Sequence, residues 1–412
     1  MAQIQRVRGM PDWLGSDAAQ LRTIEQAAIE VARIYGYAEV RLPVIEPVEL
    51  FVRSVGEETD IVGKEMYRFV DRGGEEVCLR PEGTAGAVRA YLEAGMHRAG
   101  VQRWFYLGPM FRRERPQKGR LRQFHQFGCE CFGLASASAD AELLALARRF
   151  LARLGLDQRC RLHLNSLGCR QCRPIYREKL VAFLQAHRAQ LCADCQRRIE
   201  RNPLRVLDCK NESCQAVLAD APATIDFLCN DCAAHFGSLR AALDAMGIEY
   251  QIDPRIVRGL DYYTRTAFEF VATGLGAQAT VLAGGRYDDL VSDLGGPATP
   301  AVGFAAGIER LALLLEEEPS LRPDAAIVAV GDAMLEASLA LAERLRNAGL
   351  CVVHAGGGSV KRQMKQADRL AARFAVIVGE EEWQQGTVML REMQSGKQQP
   401  VSQEELVAHI RA

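Results

Sequence analysis

The sequence predicts an α+β domain interrupted by a helical, cysteine-rich insertion and followed by a smaller α/β domain. Three observations carry this reading. Two apolar segments, WFYLGPMF (104–111) and FHQFGCECF (124–132), flank a basic run and read as strands joined by a loop. Residues 167–250 are rich in helix signals and cysteines and poor in strand signals. From residue 325 onward, strand and helix signals alternate as in a small α/β unit. Hydrophobic residues at 48% and charged residues at 25% fit a globular protein, and the 412 residues leave room for about two to four domains. No apolar run approaches the roughly 18 residues of a membrane span, and MAQIQRVRGMPDW lacks the apolar core of a signal peptide, so a cytoplasmic protein is expected. A net charge of -1 gives no global sign of nucleic acid, so an RNA partner would have to meet local basic patches such as Arg112 to Arg122.

Along the chain, residues 16–36 read as a helix that Ser16 caps and Gly36 ends, with Leu21, Ile24, Ala28, Val31 and Tyr35 on one face. EVRLPVIEP (39–47) follows as a strand broken by Pro43 and Pro47. A helix at Asp140 to Leu154 precedes the short strand CRLHLNS. After the insertion, TAFEFVA (266–272) and ATVLAGG (279–285) read as strands, and a helix is predicted from Ala301 to Glu317. EEEPSLRPD (316–324) reads as a linker. Beyond it come AAIVAVG, a helix ending near Gly349, LCVVH, a helix from Val360 to Arg373, FAVIVG, TVMLREM and a last helix. The domain boundaries expected are 1–166 and 251–318 for the interrupted domain, 167–250 for the insertion and 325–412 for the last domain.

The segment Phe111 to Glu130, FRRERPQKGRLRQFHQFGCE, holds most of the chemistry. Side-chain alternation puts Phe124, Gln126, Gly128 and Glu130 on one strand face and His125, Phe127, Cys129 and Cys131 on the other. One face thus offers an aromatic plate, an amide and a carboxylate, while Arg112 and Glu114 leave the preceding strand with matching parity. Such a platform suits a purine and a triphosphate, because the guanidinium fork binds phosphate bidentately and stays charged. In the predicted 301–317 helix, Gly303, Gly307 and Arg310 fall at i, i+4 and i+7, a stripe that suits either a ligand or close packing.

This segment, together with GFAAGIER (Gly303 to Arg310), resembles the second and third signature motifs of class II aminoacyl-tRNA synthetases. RGLDYY (Arg258 to Tyr263) and AGGRYD (Ala283 to Asp288) narrow the resemblance to the histidyl-tRNA synthetase family. The resemblance implies an antiparallel-sheet catalytic domain of the class II synthetase fold and a C-terminal α/β anticodon-binding domain. It also implies a two-step ligase: L-histidine and ATP, with Mg²⁺, give histidyl-adenylate, and histidine then passes to the 3′ end of tRNA-His. By the same resemblance Arg112 holds the α-phosphate, Glu114 the adenine amino group, Phe124 stacks on adenine, and Arg120 and Arg310 take the outer phosphates. Arg258 bridges the histidine carboxylate and the α-phosphate, and with Arg112 forms the catalytic pair. Glu82, Gly83, Thr84 and Gln126 surround the ammonium group, Glu130 and Tyr263 hold the two ring nitrogens, and Tyr262 and Tyr287 line the pocket. Arg115 and Gln117 reach toward the tRNA acceptor end, and the first helix and strand lie at a homodimer interface. The alternative is the non-catalytic regulatory subunit of ATP phosphoribosyltransferase, a paralogue that typically loses parts of the ATP signature and the C-terminal domain; both are present here.

Asp289 stands where the family usually has glycine, which puts the local loop shape in question. Lys361, Arg362 and Lys365 follow a glycine run at a helix start, where a solvated basic face is commoner than a phosphate cradle. Eight of thirteen cysteines form close pairs in the insertion: Cys169 and Cys172, Cys192 and Cys195, Cys209 and Cys214, Cys229 and Cys232. That spacing is typical of structural zinc ligands, and two Cys₄ sites would consume all eight, with the pairing left open. Cys78, Cys129, Cys131, Cys160 and Cys351 are expected to be small core residues.

Overall fold

The structure is a computed structural model, and it describes residues 3–56, 59–207, 209–257, 260, 262–276, 279–316 and 322–411. The chain divides into two compact units, Met1–Glu318 and Pro319–Ala412. In the first unit, α1 (Ser16–Ile34) buries Leu21, Ile24, Ala28 and Val31, as its spacing predicts. Its N-cap is Gly15, and Ser16 is the first helical residue, so the cap expected of Ser16 is not made. The proline-broken segment gives two short strands, β1 (Ala38–Glu39) and β2 (Ile45–Pro47), followed by α2 (Val48–Val55). β3 (Tyr67–Val70) and β4 (Glu76–Leu79) complete a small sheet with β2, and α3 (Thr84–Glu93) follows.

The principal sheet starts with β5 (Gln102–Phe111) and β6 (Gln123–Phe132), which pair antiparallel with Trp104 opposite Glu130 and Tyr106 opposite Gly128. After α4 (Ala137–Arg153) come β7 (Cys160–Ser166), the insertion helices α5 (Cys172–Ala186), α6 (Ala193–Arg201), α7 (Glu212–Leu218) and α8 (Asn230–Ala245), and β8 (Gln251–Ile252). β9 (Thr264–Ala272), β10 (Thr280–Arg286), α9 (Leu290–Asp293), β11 (Ala301–Gly307) and α10 (Ile308–Ala312) finish the unit. The strand order is β1-β5-β6-β11-β10-β9-β7-β8, antiparallel from β5 through β7 and parallel only at the two edges.

One correction matters for the site. Residues 301–307 form a central strand between β6 and β10, and only Ile308–Ala312 are helical, so the helix expected from Ala301 to Glu317 does not exist. A strand covered on both faces reads as an unbroken apolar run, which periodicity does not separate from a buried helix. The i, i+4, i+7 stripe of Gly303, Gly307 and Arg310 falls with it.

The sheet's two faces bury different things. Phe127, Cys129 and Phe304 pack with Leu146 and Phe150 of α4 and with Phe236, Leu239 and Leu243 of α8 in one core. Tyr106, Phe132 and Tyr287 belong to a second core with Tyr91 of α3 and Phe51 of α2. The remaining insertion helices have a core of their own, including Tyr176, Leu180, Ile199 and Val217. Arg286, fully buried, ties the sheet to α4: it pairs with Asp140 and Asp288, and Asp140 also accepts from His235 of α8 (2.7 Å).

The second unit contains β12 (Ala325–Ala329), α11 (Leu335–Asn347), β13 (Val352–His354), α12 (Val360–Arg369), β14 (Phe374–Val378), α13 (Glu380–Gln384), β15 (Thr387–Glu392), β16 (Gln398–Ser402) and α14 (Leu406–Arg411). Its sheet order is β13-β12-β14-β15-β16, with β16 an edge strand the sequence did not announce. α12 stops at Arg369, short of the expected Arg373, and Ala371 takes a left-handed φ of 51° beyond it. Of the five cysteines outside the insertion, four are buried, but Cys351 is exposed and is not a core residue.

Candidate active site

A cleft of about 280 Å³ opens on the sheet face that carries the second core. Glu82, Thr84, Arg112, Glu114, Arg120, Phe124, Gln126, Tyr262, Tyr263 and Arg310 all line it, so residues far apart in sequence converge as the motifs imply. Strand alternation is the cause. Phe124 and Gln126 face the cleft from β6, whereas Phe127, Cys129 and Cys131 face the opposite core. His125, between them, donates its backbone N–H to Glu309 (2.9 Å), and its ring Nδ1 lies 2.8 Å from the same carboxylate.

One end of the cleft is cationic. The Arg112 guanidinium lies 5.3 Å from the Phe124 ring centroid, and its Nε donates to the Pro81 carbonyl (2.9 Å). Arg310 donates to the carbonyls of Gly119 (2.9 Å) and Thr280 (2.8 Å), so α10 aims it into the cleft without the longer helix. Arg120 pairs with Glu114. Burial, and then the nearby Arg112 and Arg120, push the Arg310 pKa down, the signature of cations crowded where an anion is wanted.

The other end is carboxylate and hydroxyl. Glu82, nearly fully buried, accepts the N–H groups of Thr84 (2.7 Å) and Ala85 (2.8 Å) at the start of α3. Burial raises its pKa against those two bonds. It is therefore both the helix-start carboxylate and a cleft wall. Glu130 and Tyr287 do not line the cleft: Glu130 is wholly buried and accepts from the hydroxyls of Thr84 (2.7 Å), which does line it, Tyr106 (3.1 Å) and Tyr287, and burial pushes its pKa up to about 8. Gln126 Oε1 is buried with no hydrogen-bond partner among the described residues, an acceptor or donor position left for a ligand.

Tyr106 was not anticipated. Parity marks it, since it lies opposite Gly128 on the site face of the β5–β6 pair. A Cβ on Gly83 would come 2.3 Å from the Tyr106 ring, and one on Gly128 2.2 Å, so both glycines make room for it. Gly83 serves the pocket in this way, by what it lacks. Arg258 lies outside the described residues.

Residues 9–311 match the family described as histidyl-tRNA synthetase, and residues 324–412 match the anticodon binding domain. The chain is 52% identical over 413 residues to the histidine–tRNA ligase of Anaeromyxobacter dehalogenans, with 99% of each chain covered. It is 49% identical over 414 residues to that of Desulforamulus reducens, again covering 99% of each. The chain belongs to the histidyl-tRNA synthetase family. The crystal structure of apo histidyl-tRNA synthetase from S. aureus has the same fold, with a TM-score of 0.81, 35% identity and 100% of both chains covered. The chain's activity is thus histidine–tRNA ligation, with ATP as a substrate, and the reading as a phosphoribosyltransferase regulatory subunit falls away.

Other residues of this synthetase take up less expected places. Arg115 and Gln117 are exposed in the loop between β5 and β6, where Gln117 and Arg120 exchange backbone hydrogen bonds (3.0 and 2.9 Å) across a tight turn. Asp289 keeps an ordinary right-handed backbone (φ −94°), so the loop tolerates it, and it accepts from Arg170 of the insertion (2.8 Å). All thirteen cysteines are free, and the eight in the insertion gather into two groups. Cys169 and Cys172 meet Cys229 and Cys232, while Cys192 and Cys195 meet Cys209 and Cys214. No helix among the described residues is long and apolar enough to cross a membrane.

Proposed function

We propose that the cleft makes histidyl-adenylate with its cationic end on ATP and its carboxylate end on histidine. The observation that carries this is the division of one strand, β6, between Phe124 beside three guanidiniums and Glu130 under three hydroxyls. Phe124 stacks on adenine and Glu114 takes its amino group. Arg112 holds the α-phosphate, and Arg120 and Arg310 the outer phosphates. ATP enters as its magnesium complex. Glu82, Thr84 and Gln126 take the histidine ammonium, Glu130 and Tyr263 its ring nitrogens, and Tyr262 and Tyr287 close the walls, with Gly83 leaving room for Tyr106.

A histidine carboxylate oxygen attacks the α-phosphorus and the bond to pyrophosphate breaks. Two negative groups must meet, and fixed guanidiniums lower that barrier because they are placed before the charge develops. The 3′-hydroxyl of the terminal tRNA ribose then attacks the histidyl carbonyl, and AMP leaves. Arg115 and Gln117, exposed beside the cleft, contact the acceptor end, and the 325–412 domain reads the anticodon. The division into 1–166, 167–250 and 251–318 follows the same reading, as does a cytoplasmic homodimer. Exposed Ile34, at the end of α1, and Val44 and Ile45, just before and at the start of β2, supply apolar surface for its interface. The insertion cysteines hold zinc in a structural role, since a tetrathiolate site leaves no open position for substrate.

Pyrophosphate exchange tests the assignment. Arg258→Ala is expected to lower adenylate formation by roughly 10² to 10³, the scale of one preorganised electrostatic donor. An unchanged exchange rate would refute the bridging role.

A further inference from the structure

The two cysteine groups are built differently with respect to the cleft. Within them, Sγ–Sγ separations are 3.7 Å (Cys169 and Cys172), 3.8 Å (Cys169 and Cys229) and 3.9 Å (Cys192 and Cys209). A disulfide needs about 2.05 Å. Four sulfurs about 2.3 Å from a tetrahedral zinc lie about 3.8 Å apart, the spacing of these three pairs, and the four sulfurs of each group all lie within 4.8 Å of one another. Each group of four cysteines is cross-tied by an amide: Cys229 N–H donates to Cys172 Sγ (3.1 Å), and Cys192 N–H to Cys214 Sγ (3.2 Å). Gly168, with φ of 66°, precedes the first knuckle, and a Cβ there would come 2.5 Å from Cys172 Cβ.

The first group stands where the chain enters the insertion, and its knuckle is stitched to the segment that carries Tyr263. Leu167 N–H donates to the Arg265 carbonyl (2.6 Å), Arg265 N–H to the Gly168 carbonyl (2.8 Å), and Arg173 to the Tyr263 carbonyl. Arg170, between the two cysteines, pairs with Asp289 (2.8 Å) and Asp293 (2.9 Å), just beyond Tyr287. Arg265 has φ of 47°, one of two non-glycine residues with positive φ among those described. A residue holds such a conformation only where its surroundings over-determine it. Here the surroundings are the knuckle. The second group instead joins Cys195 and Cys214 to the insertion's own core.

We propose that the insertion carries two separate structural tetrathiolate zinc sites. Cys169, Cys172, Cys229 and Cys232 clamp the insertion to the histidine pocket and position Tyr263, whereas Cys192, Cys195, Cys209 and Cys214 close only the insertion core. The positioning part rests on the zinc reading given above, and one experiment separates the two. Full-length protein purified without chelator is expected to hold two zinc per chain by elemental analysis. Cys229→Ser is expected to hold one, with the histidine KM in pyrophosphate exchange raised roughly 10- to 100-fold, the scale of a displacement of about 1 Å in a binding group, and the ATP KM near the parent value. Cys209→Ser is expected to hold one zinc with an unchanged histidine KM. Arg173→Ala, which keeps all eight thiols, is expected to hold two zinc and still raise the histidine KM, and it serves if Cys229→Ser does not fold. Parent protein without zinc overturns the metal reading. One zinc per parent chain overturns the two-site assignment. Two zinc in the parent, with an unchanged histidine KM in Cys229→Ser or in Arg173→Ala, or with equal rises in both cysteine variants, overturns the positioning role alone.

Discussion

Gly303→Ala is the sharpest perturbation of the pocket. Gly303 lies directly opposite Glu130 across the β6–β11 pair, and a Cβ there would come 1.6 Å from Glu130 Oε2 and 2.8 Å from the Cys129 carbonyl oxygen. Nonbonded heavy atoms need roughly 3.5 Å, so the carboxyl group must retreat by about 2 Å. It has no open space, being wholly buried, and it must leave the hydroxyls of Thr84, Tyr106 and Tyr287. Three hydrogen bonds at about 0.5 to 1.5 kcal/mol each, with overpacking at about 1 to 3 kcal/mol, give a loss of about 2.5 to 7.5 kcal/mol. If the bound imidazole uses Glu130, histidine kcat/KM in pyrophosphate exchange should fall at least ~60-fold, since 1.4 kcal/mol is tenfold. The Glu130→Ala/Gly303→Ala double variant removes the collision, so its loss of stability should be smaller than the sum of the two single losses while histidine activation stays impaired. A single variant with parental stability and histidine KM would refute the reasoning.

Two further outcomes follow from the buried charges. Burial raises the Glu130 pKa to about 8, above the unfolded value of about 4.3, so the folded state binds the extra proton. Its contribution to stability is fully present below about pH 4.3 and is lost as pH rises through about 8. Urea unfolding of the ligand-free protein should therefore show a slope between pH 5 and 8 that Glu130→Gln reduces, and equal slopes would exclude the assignment. Arg286→Met leaves the buried Asp140 carboxylate without its cation. The expected loss is about 3 to 5 kcal/mol in urea unfolding, and a loss below about 1 kcal/mol would show that His235 and the Thr266 hydroxyl, which donates to Asp140 (2.6 Å), suffice for it.

The legible parts of the site were those that announce themselves by alternation. β6 turns one face to a core and the other toward a cleft, so alternation puts Phe124 and Gln126 on the cleft and the buried Glu130 on the same strand face. β11 has cover on both sides, and its apolar run concealed both its strand character and the meeting of Gly303 with Glu130. Tyr106 carried the right parity but sat among core aromatics in WFYLGPMF, where nothing local distinguishes a packing ring from one whose hydroxyl meets a carboxylate. Arginines pose the same difficulty. Arg286 belongs to a signature motif, as Arg112 does, yet one is a buried tie between sheet and helix and the other faces the cleft. Cysteine spacing revealed the four knuckles but not their partners, because pairing Cys169 with Cys229 depends on how α5 to α8 return to the sheet.

The deepest part of the pocket is made by missing side chains. A carboxyl group placed at the centre of a sheet face costs several kcal/mol unless donors meet it there, and Tyr106 and Tyr287 reach Glu130 only if the sheet surface beside them is lowered. Gly83 and Gly128 leave space for the Tyr106 ring, Gly303 for the Glu130 carboxyl group, and a Cβ on Gly285 would come 2.8 Å from Tyr263. Each of these glycines contacts the recognition residues without contributing a polar atom. On the proposed assignment, the sheet's regular spacing becomes part of the selectivity: an amino acid lacking ring nitrogens would leave polar groups unpaired in a space whose backbone walls do not collapse to cover them. That argument orders the variants by mechanism. Alanine at 83, 128 or 303 should weaken histidine more than ATP, whereas loss of Arg120 should weaken ATP more than histidine, because in the proposed assignment the two substrates use opposite ends of one strand.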